Sequence, residues 1–367
     1  MVRTQRIQVS LKNARDRSYD ILIKPGLLAE IPQLLVESWA TRRFFIISDD
    51  NVSALYARQF QQTLGGMGAE TTLLEFRAGE RSKTAAVVHS LHTALLENNI
   101  SRDALIVAFG GGVVGDVAGF VAATVLRGVR YVQVPTTLLA QVDSSVGGKV
   151  GVDHALGKNL IGAFHQPSAV YIDPEMLKTL PPEEFSNGLA ELVKVAAALD
   201  DKLFADIERK ATLISRSKSF ILADFIEEAV GLKASVVEHD EYDTGIRRVL
   251  NLGHTVAHAV ETATDYRIKH GHAVAIGLAV ESEIAVRMGI LPEKEFVRLV
   301  ALLQELGLPV RMPRMNDMDR FFDAMALDKK GEGKGTKFVL MKSIGHTVVG
   351  ADVPVSLVME ILGARKK

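Results

Sequence analysis

Four histidines within twenty residues form the densest group of potential metal ligands in the sequence. His254 and His258 are four residues apart, so a helix would place both on one face, and His270 and His272 follow after a short connection. Three protein ligands with one open position define a catalytic zinc site. Glu191 is a candidate carboxylate ligand, because a charge on an otherwise apolar helix is costly without a partner. Alternatively, His258 contacts a substrate and His272 is solvated.

A glycine-rich turn between an apolar strand and a helix is the second candidate for chemistry. Gly110, Gly112 and Gly115 match the pattern G-x-G-x-x-G. Glycines allow close approach of the backbone to a phosphate, and a helix N-terminus attracts its charge. Tight packing of a helix on a sheet would explain these glycines equally well. Asp49 and Asn51 follow an earlier strand, where they either contact a sugar or adenine or form a turn.

A polar, glycine-rich stretch with two lysines lies between these motifs, at Asp143–Lys149 and Gly157–Asn159. Flexible backbone and ammonium groups suit a carboxylate or a phosphate, although the spacing is not that of a P-loop. A solvated loop is the alternative interpretation. Together, a nucleotide site and a metal site favour redox chemistry on a polar substrate.

The elements that must position these residues change character along the chain. The first half alternates apolar runs with helical patterns, which is typical of a mostly parallel sheet covered by helices. Strands are predicted at 43–47, 71–76, 105–109, 130–134 and 170–172, and helices at 52–64 and 83–98. Ligands of such sheets bind at the C-terminal ends of the strands.

The second half is predicted to be helical, at 183–200, 202–215, 219–238, 253–265, 272–288 and 293–306. Paired prolines at Pro181 and Pro182 mark a boundary. The sequence thus predicts an α/β domain with a mostly parallel sheet over residues 1–177, and an all-α domain over residues 178–367. Residues 1–10 alternate like a strand, and 329–337 are predicted to be a mobile loop.

Composition excludes several classes of function. The 367 residues have a net charge of −1, which favours neither nucleic acid nor an anionic membrane. The absence of cysteine excludes disulfides and thiolate ligands, so a metal must use His, Asp or Glu. No apolar run reaches the ~18 residues of a membrane span, and the N-terminus lacks a signal-like apolar core. We therefore expect a cytoplasmic, soluble protein.

Several long strings resemble those of the 3-dehydroquinate synthase family, in order from about residue 45 to 350. They are Gly110–Asp116, Gln133–Thr137, Asp143–Lys149, Gly157–Phe164, Leu180–Glu184, Gly188–Lys194, Asn251–His254 and Asp328–Lys330. The resemblance implies that residues 1–177 form an NAD-binding α/β domain and that residues 178–367 form a helical metal- and substrate-binding domain. It also implies a homodimer and one divalent metal, most often zinc, with cobalt as an alternative. The implied reaction converts 3-deoxy-D-arabino-heptulosonate 7-phosphate to 3-dehydroquinate and phosphate, with catalytic NAD+. It is the second step of the shikimate pathway to chorismate and the aromatic amino acids.

The resemblance also implies a role for individual residues. The metal ligands would be Glu191, His254 and His270, since the family motif at the last site begins His-Gly. Substrate contacts would come from Asp143, Lys149, Asn159, Lys194, Lys233, Arg247, Asn251 and His258, joined by Arg127 and Lys330, one of which reaches the neighbouring subunit's site. His258 is also a candidate for proton transfer. NAD+ would contact Asp49, Asn51, Glu80, Lys83, Gly111, Gly112, Asp116, Thr136, Thr137, Lys158 and Thr179.

Three positions depart from the family pattern. His272 and Asp243 stand where glutamate is usual, and Ala257 stands where glycine is usual. We expect His272 to compete as a ligand or alter metal choice, Ala257 to crowd its helix, and Asp243 to hold its partner less firmly.

Other functions remain open at this stage. Related sugar-phosphate cyclases make 2-deoxy-scyllo-inosose or 2-epi-5-epi-valiolone from other sugar phosphates. A metal-dependent polyol dehydrogenase of the same fold would release NADH stoichiometrically. A non-catalytic scaffold would bind neither NAD+ nor metal.

Overall fold

A parallel six-stranded sheet forms the centre of the N-terminal part. The computed structural model describes residues 17–216, 222–314, 318–327 and 337–364. Its strands are β1 (Asp20–Ile23), β2 (Arg43–Asp49), β3 (Glu70–Phe76), β4 (Leu105–Gly110), β5 (Arg130–Pro135), β6 (Lys149–His154), β7 (Gly157–Phe164), β8 (Ala169–Ile172), β9 (Lys337–Ser343) and β10 (His346–Asp352). The sheet order is β1-β8-β5-β4-β2-β3, and all of its pairings are parallel.

Strand β4 lies in the middle of this sheet and is buried along its whole length. Its continuous apolar sequence follows from that position, because helices cover both faces of a parallel sheet. The five strands predicted from sequence are confirmed. β1 was not predicted, since it is only four residues long and partly exposed.

Helices cover the sheet and make up most of the second half. They are α1 (Ile31–Ser38), α2 (Asp50–Val52), α3 (Arg58–Gly66), α4 (Ala85–Glu97), α5 (Gly112–Thr124), α6 (Pro182–Leu199), α7 (Asp201–Arg216), α8 (Leu222–His239), α9 (His254–Ala263), α10 (His270–Arg287), α11 (Glu293–Glu305), α12 (Met318–Leu327) and α13 (Val355–Ala364). The predicted helices are confirmed with shifts of a few residues at their ends. Residues 219–221 of one predicted helix and the predicted strand at 1–10 lie outside the described residues. No helix in the described ranges has the length and apolar composition needed to cross a membrane.

Two hairpins were not predicted. β6 and β7 pair antiparallel, so the polar stretch interpreted as a binding loop or a solvated loop is partly a two-stranded ribbon. β9 and β10 form a second hairpin in the part predicted to be all-α, which is otherwise helical as expected. The predicted loop 329–337 lies outside the described residues except for Lys337, which begins β9.

One apolar core joins the two halves of the chain. Leu138, Val142 and Ile172 belong to the same buried cluster as Leu189 and Val256. Residues on both sides of the predicted domain boundary at 177/178 therefore pack together, and that boundary stays a prediction.

The close crossing of α9 and α10 holds the histidine region in place. A Cβ built on Gly277 of α10 would lie 1.9 Å from the carbonyl oxygen of Gly253, immediately before α9. The buried carboxylate of Glu281 accepts hydrogen bonds from the amides of Gly253 and Val256, at 2.8 and 3.0 Å. The first turn of α9, where His254 lies, is thus fixed by α10.

We expect Gly277→Ala to lower the free energy of unfolding by about 1–3 kcal/mol, because the added methyl collides with fixed backbone. Gly231→Ala is the matched control: nothing lies within 4 Å of its Cβ, and it is in a helix. The control should stabilise by roughly 0.4–1 kcal/mol. Chemical denaturation of both variants measures the difference. Equal stabilities would contradict the close packing of α9 and α10.

Candidate active site

The C-terminal edge of the sheet gathers most of the residues predicted to bind NAD+. β2 ends at Asp49, β4 leads into Gly111 and Gly112, and β5 leads into Thr136 and Thr137. Parallel strands end at the same edge, so residues separated by almost ninety positions in sequence become neighbours. A dinucleotide laid along this edge would meet all of them.

Gly111 and Gly112 form the N-terminus of α5, a helix of thirteen residues. A Cβ on Gly111 would lie 2.9 Å from Cγ2 of Thr137, and one on Gly112 would lie 3.0 Å from Oγ of Ser144. Gly115 has a different role, because its Cβ would lie 2.7 Å from Oε1 of Gln133 in the sheet. The packing interpretation therefore holds for Gly112 and Gly115 of the pattern, and phosphate binding at this helix N-terminus stays a prediction.

Asp49 and Thr179 have structural partners within the chain. The Asp49 carboxylate accepts a hydrogen bond from the amide of Val52 at 2.9 Å and caps α2, as the turn interpretation predicted. Burial raises the pKa of Asp49. The Thr179 hydroxyl lies 2.5 Å from the Tyr56 hydroxyl. Asn51 is exposed on α2 beside them.

A second group of predicted nucleotide residues forms a network of charges beside the β6–β7 hairpin. Lys83 pairs with Asp116 at 2.6 Å, and its ammonium group also donates to the Asn159 side chain. Lys158 pairs with Glu80 at 3.0 Å. Asn159, predicted from the resemblance to contact substrate, is thus placed with the nucleotide group.

Three residues predicted as metal ligands converge at one point. Glu191 of α6 and the first residues of α9 and α10, His254 and His270, have ligand atoms within 4.8 Å of one another. Oε1 of Glu191 lies 3.8 Å from Nε2 of His254 and 3.2 Å from Nε2 of His270. Two imidazoles and one carboxylate are the ligand set of many catalytic zinc sites.

The environment of Glu191 fits a cation. Its side chain is fully buried, and neither carboxylate oxygen accepts a hydrogen bond of good geometry, although Lys194 Nζ is 2.8 Å from Oε2. Burial raises the pKa of Glu191, but the charges of Lys194 and His270 outweigh burial and hold it well below its usual range. Both oxygens of this buried, ionised carboxylate therefore keep lone pairs for a metal ion.

The histidines differ in their electrostatics. Burial lowers the pKa of His254 to about 3, so this ring is neutral and can offer a lone pair. Burial also lowers the pKa of His270, but Glu261 and Glu191 outweigh it and raise the pKa to about 10. The anionic environment of His270 thus attracts positive charge, either a proton or a metal. His258 lies against both rings, with centroids 5.4 Å from His254 and 6.4 Å from His270.

The three departures from the family pattern leave this triplet intact. His272 shares a hydrogen bond of 2.8 Å with the Ser186 hydroxyl and is not part of the triplet. Ala257 is completely buried within α9. Asp243 forms an ion pair with Lys149, and its Oδ1 is buried without a hydrogen-bond partner.

Two lysines adjoin the metal triplet and share Asp143. Lys194 Nζ lies 3.6 Å from the Asp143 carboxylate, and Lys233 Nζ contacts both that carboxylate and the Asp143 carbonyl, the latter at 2.6 Å. Burial lowers the pKa of Lys233, whereas Asp143 and Glu191 overcome burial and raise that of Lys194. These amines could receive an anionic substrate.

The remaining substrate candidates lie at different distances from this centre. Arg247 is buried and donates to the carbonyls of Gly147 and Glu241, at 3.0 and 2.7 Å, next to the loop that carries Lys149. Asn251 is exposed shortly before His254. Arg127 is exposed beyond the far end of α5, roughly 20 Å from the helix start, so the structure does not bring it to this chain's site. Lys330 lies outside the described residues.

Sequence reasoning missed Glu261, which is buried beside His270. Its Oε1 lies 3.4 Å from His270 Nδ1 and 2.9 Å from Lys158 Nζ. The signal was available, because His254, His258 and Glu261 are spaced i, i+4, i+7 and so share one face of α9.

Both halves of the chain match models of one family of known proteins. The family model described as "3-dehydroquinate synthase N-terminal" matches residues 73–187, and "3-dehydroquinate synthase C-terminal" matches residues 188–331. A relative from Nostoc punctiforme named 3-dehydroquinate synthase is 41% identical over 353 residues, covering 95% of this chain and 97% of that protein.

Solved structures of other cyclases share the fold. A 2-epi-5-epi-valiolone synthase from Streptomyces hygroscopicus subsp. jinggangensis, with NAD+ and Zn2+ bound, aligns with a TM-score of 0.90 at 30% identity, covering 98% of this chain and 99% of that one. A 2-deoxy-scyllo-inosose synthase complexed with carbaglucose-6-phosphate, NAD+ and Co2+ aligns with a TM-score of 0.85 at 29% identity, covering 94% and 96%. Given its sequence relatives and the matching of both family models, the chain belongs to the 3-dehydroquinate synthase family.

Proposed function

We propose that the protein is a lyase that converts 3-deoxy-D-arabino-heptulosonate 7-phosphate to 3-dehydroquinate and inorganic phosphate, as the second step of the shikimate pathway. The observation that carries this proposal is the junction of the Glu191–His254–His270 triplet with the paired lysines at Asp143. A metal site joined to buried ammonium groups suits a substrate that carries hydroxyls, a carboxylate and a phosphate.

The cofactors of the proposed enzyme are NAD+ and one divalent metal, for which zinc is the first choice and cobalt the alternative. Relatives of this fold are described with NAD+ and Zn2+ or Co2+ bound. When bound, NAD+ supplies reversible oxidation of one substrate carbon, and the metal supplies Lewis acidity at its ligand triplet.

The chain's own residues position the substrate and neutralise its negative charge. Lys194 and Lys233 lie on either side of Asp143, so an anionic substrate group can replace part of that carboxylate's contacts. Lys149, at the start of β6, and Arg247 extend the cationic surface: Lys149 pairs with Asp243, and Arg247 donates to the carbonyl of Gly147. His258 borders the metal histidines, where it can hold or move a proton at a hydroxyl of the bound substrate. Loss of phosphate is an elimination: an oxygen of the phosphate takes the proton of the C–H bond, the electron pair of that bond forms a C=C bond, and phosphate leaves with the electron pair of the C–O bond.

A different sugar phosphate is the second candidate substrate. The structural similarity to a 2-epi-5-epi-valiolone synthase favours it, because the two chains align over nearly their whole lengths. Sedoheptulose 7-phosphate and glucose 6-phosphate are therefore the comparison substrates.

Release of inorganic phosphate tests the proposed function. The purified protein is incubated with 3-deoxy-D-arabino-heptulosonate 7-phosphate, trace NAD+ and Zn2+ or Co2+, with a chelator-treated sample as the control. We expect metal-dependent phosphate release, formation of 3-dehydroquinate and no accumulation of NADH. Release only from a comparison substrate would transfer the proposal to another cyclase, and stoichiometric NADH would indicate a dehydrogenase.

We further propose that the protein acts as a cytoplasmic homodimer. β7 pairs only with β6 among the described strands, and it exposes Leu160, Ile161 and Phe164. The hairpin packs on α5, which ends near Arg127, so a second copy on this face would meet both features. Arg127 could then serve the neighbouring site. Sedimentation equilibrium should give twice the chain mass of 39.9 kDa, and a monomer at micromolar concentration would refute the dimer.

A further inference from the structure

The carboxylate of Glu261 touches both the candidate metal site and the candidate nucleotide site. Oε1 lies 3.4 Å from Nδ1 of His270 and 2.9 Å from Nζ of Lys158. The side chain is 1% exposed, so solvent cannot take the place of either partner. One buried oxygen atom is therefore shared between a predicted metal ligand and a predicted nucleotide contact.

The geometry fixes how His270 faces the metal position. Its Nε2 points toward Glu191, at 3.2 Å from Oε1, while Nδ1 points toward Glu261. A hydrogen on Nδ1 donated to a carboxylate leaves the lone pair on Nε2, which is the tautomer that a metal requires. Glu261 is thus placed to orient His270 and to increase the basicity of its ligating nitrogen.

Lys158 connects the same carboxylate to the other side of the site. It lies on β7, pairs with Glu80 at 3.0 Å and lies 4.9 Å from the ring centre of Tyr266. Its ammonium group, which has three N–H donors, contacts the carboxylates of Glu80 and Glu261 together. An anionic nucleotide that engages Lys158 would weaken its hold on Glu261.

We propose that Glu261 is a positioning residue that couples metal binding to nucleotide binding through Lys158 and His270. When the phosphates of NAD+ contact the Lys158 ammonium group, Glu261 accepts a stronger hydrogen bond from His270, so the metal binds more tightly. When a metal binds His270, its Nδ1–H becomes a better donor to Glu261, and Lys158 is released to the nucleotide. The coupling is positive and acts equally in both directions, as thermodynamic linkage requires. This inference rests on the proposed function, which supplies the two ligands.

Zn2+ affinity measured by competition with a chromogenic chelator tests the coupling in the full-length protein, with and without saturating NAD+. In the unmodified protein NAD+ should tighten Zn2+ binding about fivefold or more, the lower range of typical couplings. Glu261→Gln should weaken Zn2+ binding by roughly 10–100-fold and remove the effect of NAD+. It should also change the visible spectrum of the Co2+-loaded protein, since the ligating nitrogen of His270 changes.

Two further variants separate positioning from general damage. Asp265→Asn makes the same carboxylate-to-amide change four residues later, on an exposed residue that pairs with Arg320, and should leave Zn2+ affinity unchanged. Lys158→Gln should keep or increase Zn2+ affinity in the absence of NAD+, yet lose the coupling. This variant tests the proposal even if Glu261→Gln does not fold.

The outcomes also distinguish this inference from the proposed function. If the unmodified protein binds no Zn2+, the proposed function itself fails. If it binds Zn2+ and Glu261→Gln binds it equally well, only the role of Glu261 is overturned. Full coupling in Lys158→Gln would likewise overturn the link, while leaving the metal site in place.

Discussion

His254→Ala should remove bound zinc and abolish phosphate release while leaving NAD+ binding measurable. His254 supplies one of three ligands, and its ring is kept neutral by burial, with a pKa of about 3. If zinc binding of about 10–16 kcal/mol is divided equally among the three ligands, loss of one weakens it by roughly 10²–10⁴-fold. Metal analysis after dialysis, a phosphate-release assay and NAD+ titration measure the three effects. The NAD+ affinity should match that of the metal-free unmodified protein.

Two histidine controls make this result specific. His239→Ala changes an exposed ring at the end of α8 and should retain metal and activity. His272→Ala tests the departure from the family pattern: its ring bonds to Ser186, outside the triplet, so metal content should persist. Loss of metal from His272→Ala would mean that His272 is itself a metal ligand. Full activity of metal-free His254→Ala would refute the metal assignment.

Local patterns predicted the central strands and the long helices because burial leaves a direct signature in sequence. β4 is buried along its length and reads as an unbroken apolar run, and α6 carries a helical period with prolines at its start. β7 has no such signature, since four consecutive residues of its chain, 159–162, are exposed. The hairpins are fixed by pairing with a partner strand and by tertiary packing, which local sequence does not encode.

The candidate site was likewise predicted only in part from local sequence patterns. The imidazole spacing pointed to a metal, but from spacing alone His258, His270 and His272 remained alternatives. The family resemblance selected His270, and the structure brings it to Glu191 and His254. Glu261 was missed because its partners lie on other elements of the fold. They are His270 of α10 and Lys158 of β7. Residue spacing shows which side chains share one face of a helix, but it does not show which residues of other elements contact that face.

Lys194→Met should separate the role of this lysine in substrate processing from its role in stability. Methionine keeps most of the volume of the side chain, but it leaves the buried carboxylates of Glu191 and Asp143 without a cation that lies 2.8 and 3.6 Å from them. Removing one partner of a buried ion pair costs about 3–5 kcal/mol. We expect that loss in the metal-free protein, and a smaller loss once Zn2+ is bound, because the metal then balances Glu191.

Activity should fall even where zinc restores stability. A positioned cation at developing negative charge contributes about 10²–10³-fold to a rate, so phosphate release by zinc-loaded Lys194→Met should fall by that order. NAD+ affinity should change little, since Lys194 contacts none of the residues at the sheet edge predicted to hold the nucleotide. Lys202→Met, on the exposed surface of α7, is the control and should alter neither quantity. Unfolding curves with and without Zn2+ measure the change in stability, and the phosphate-release assay measures the change in activity. Unchanged catalytic efficiency would remove Lys194 from the site, and a stability loss indifferent to Zn2+ would mean that the metal does not bind at Glu191.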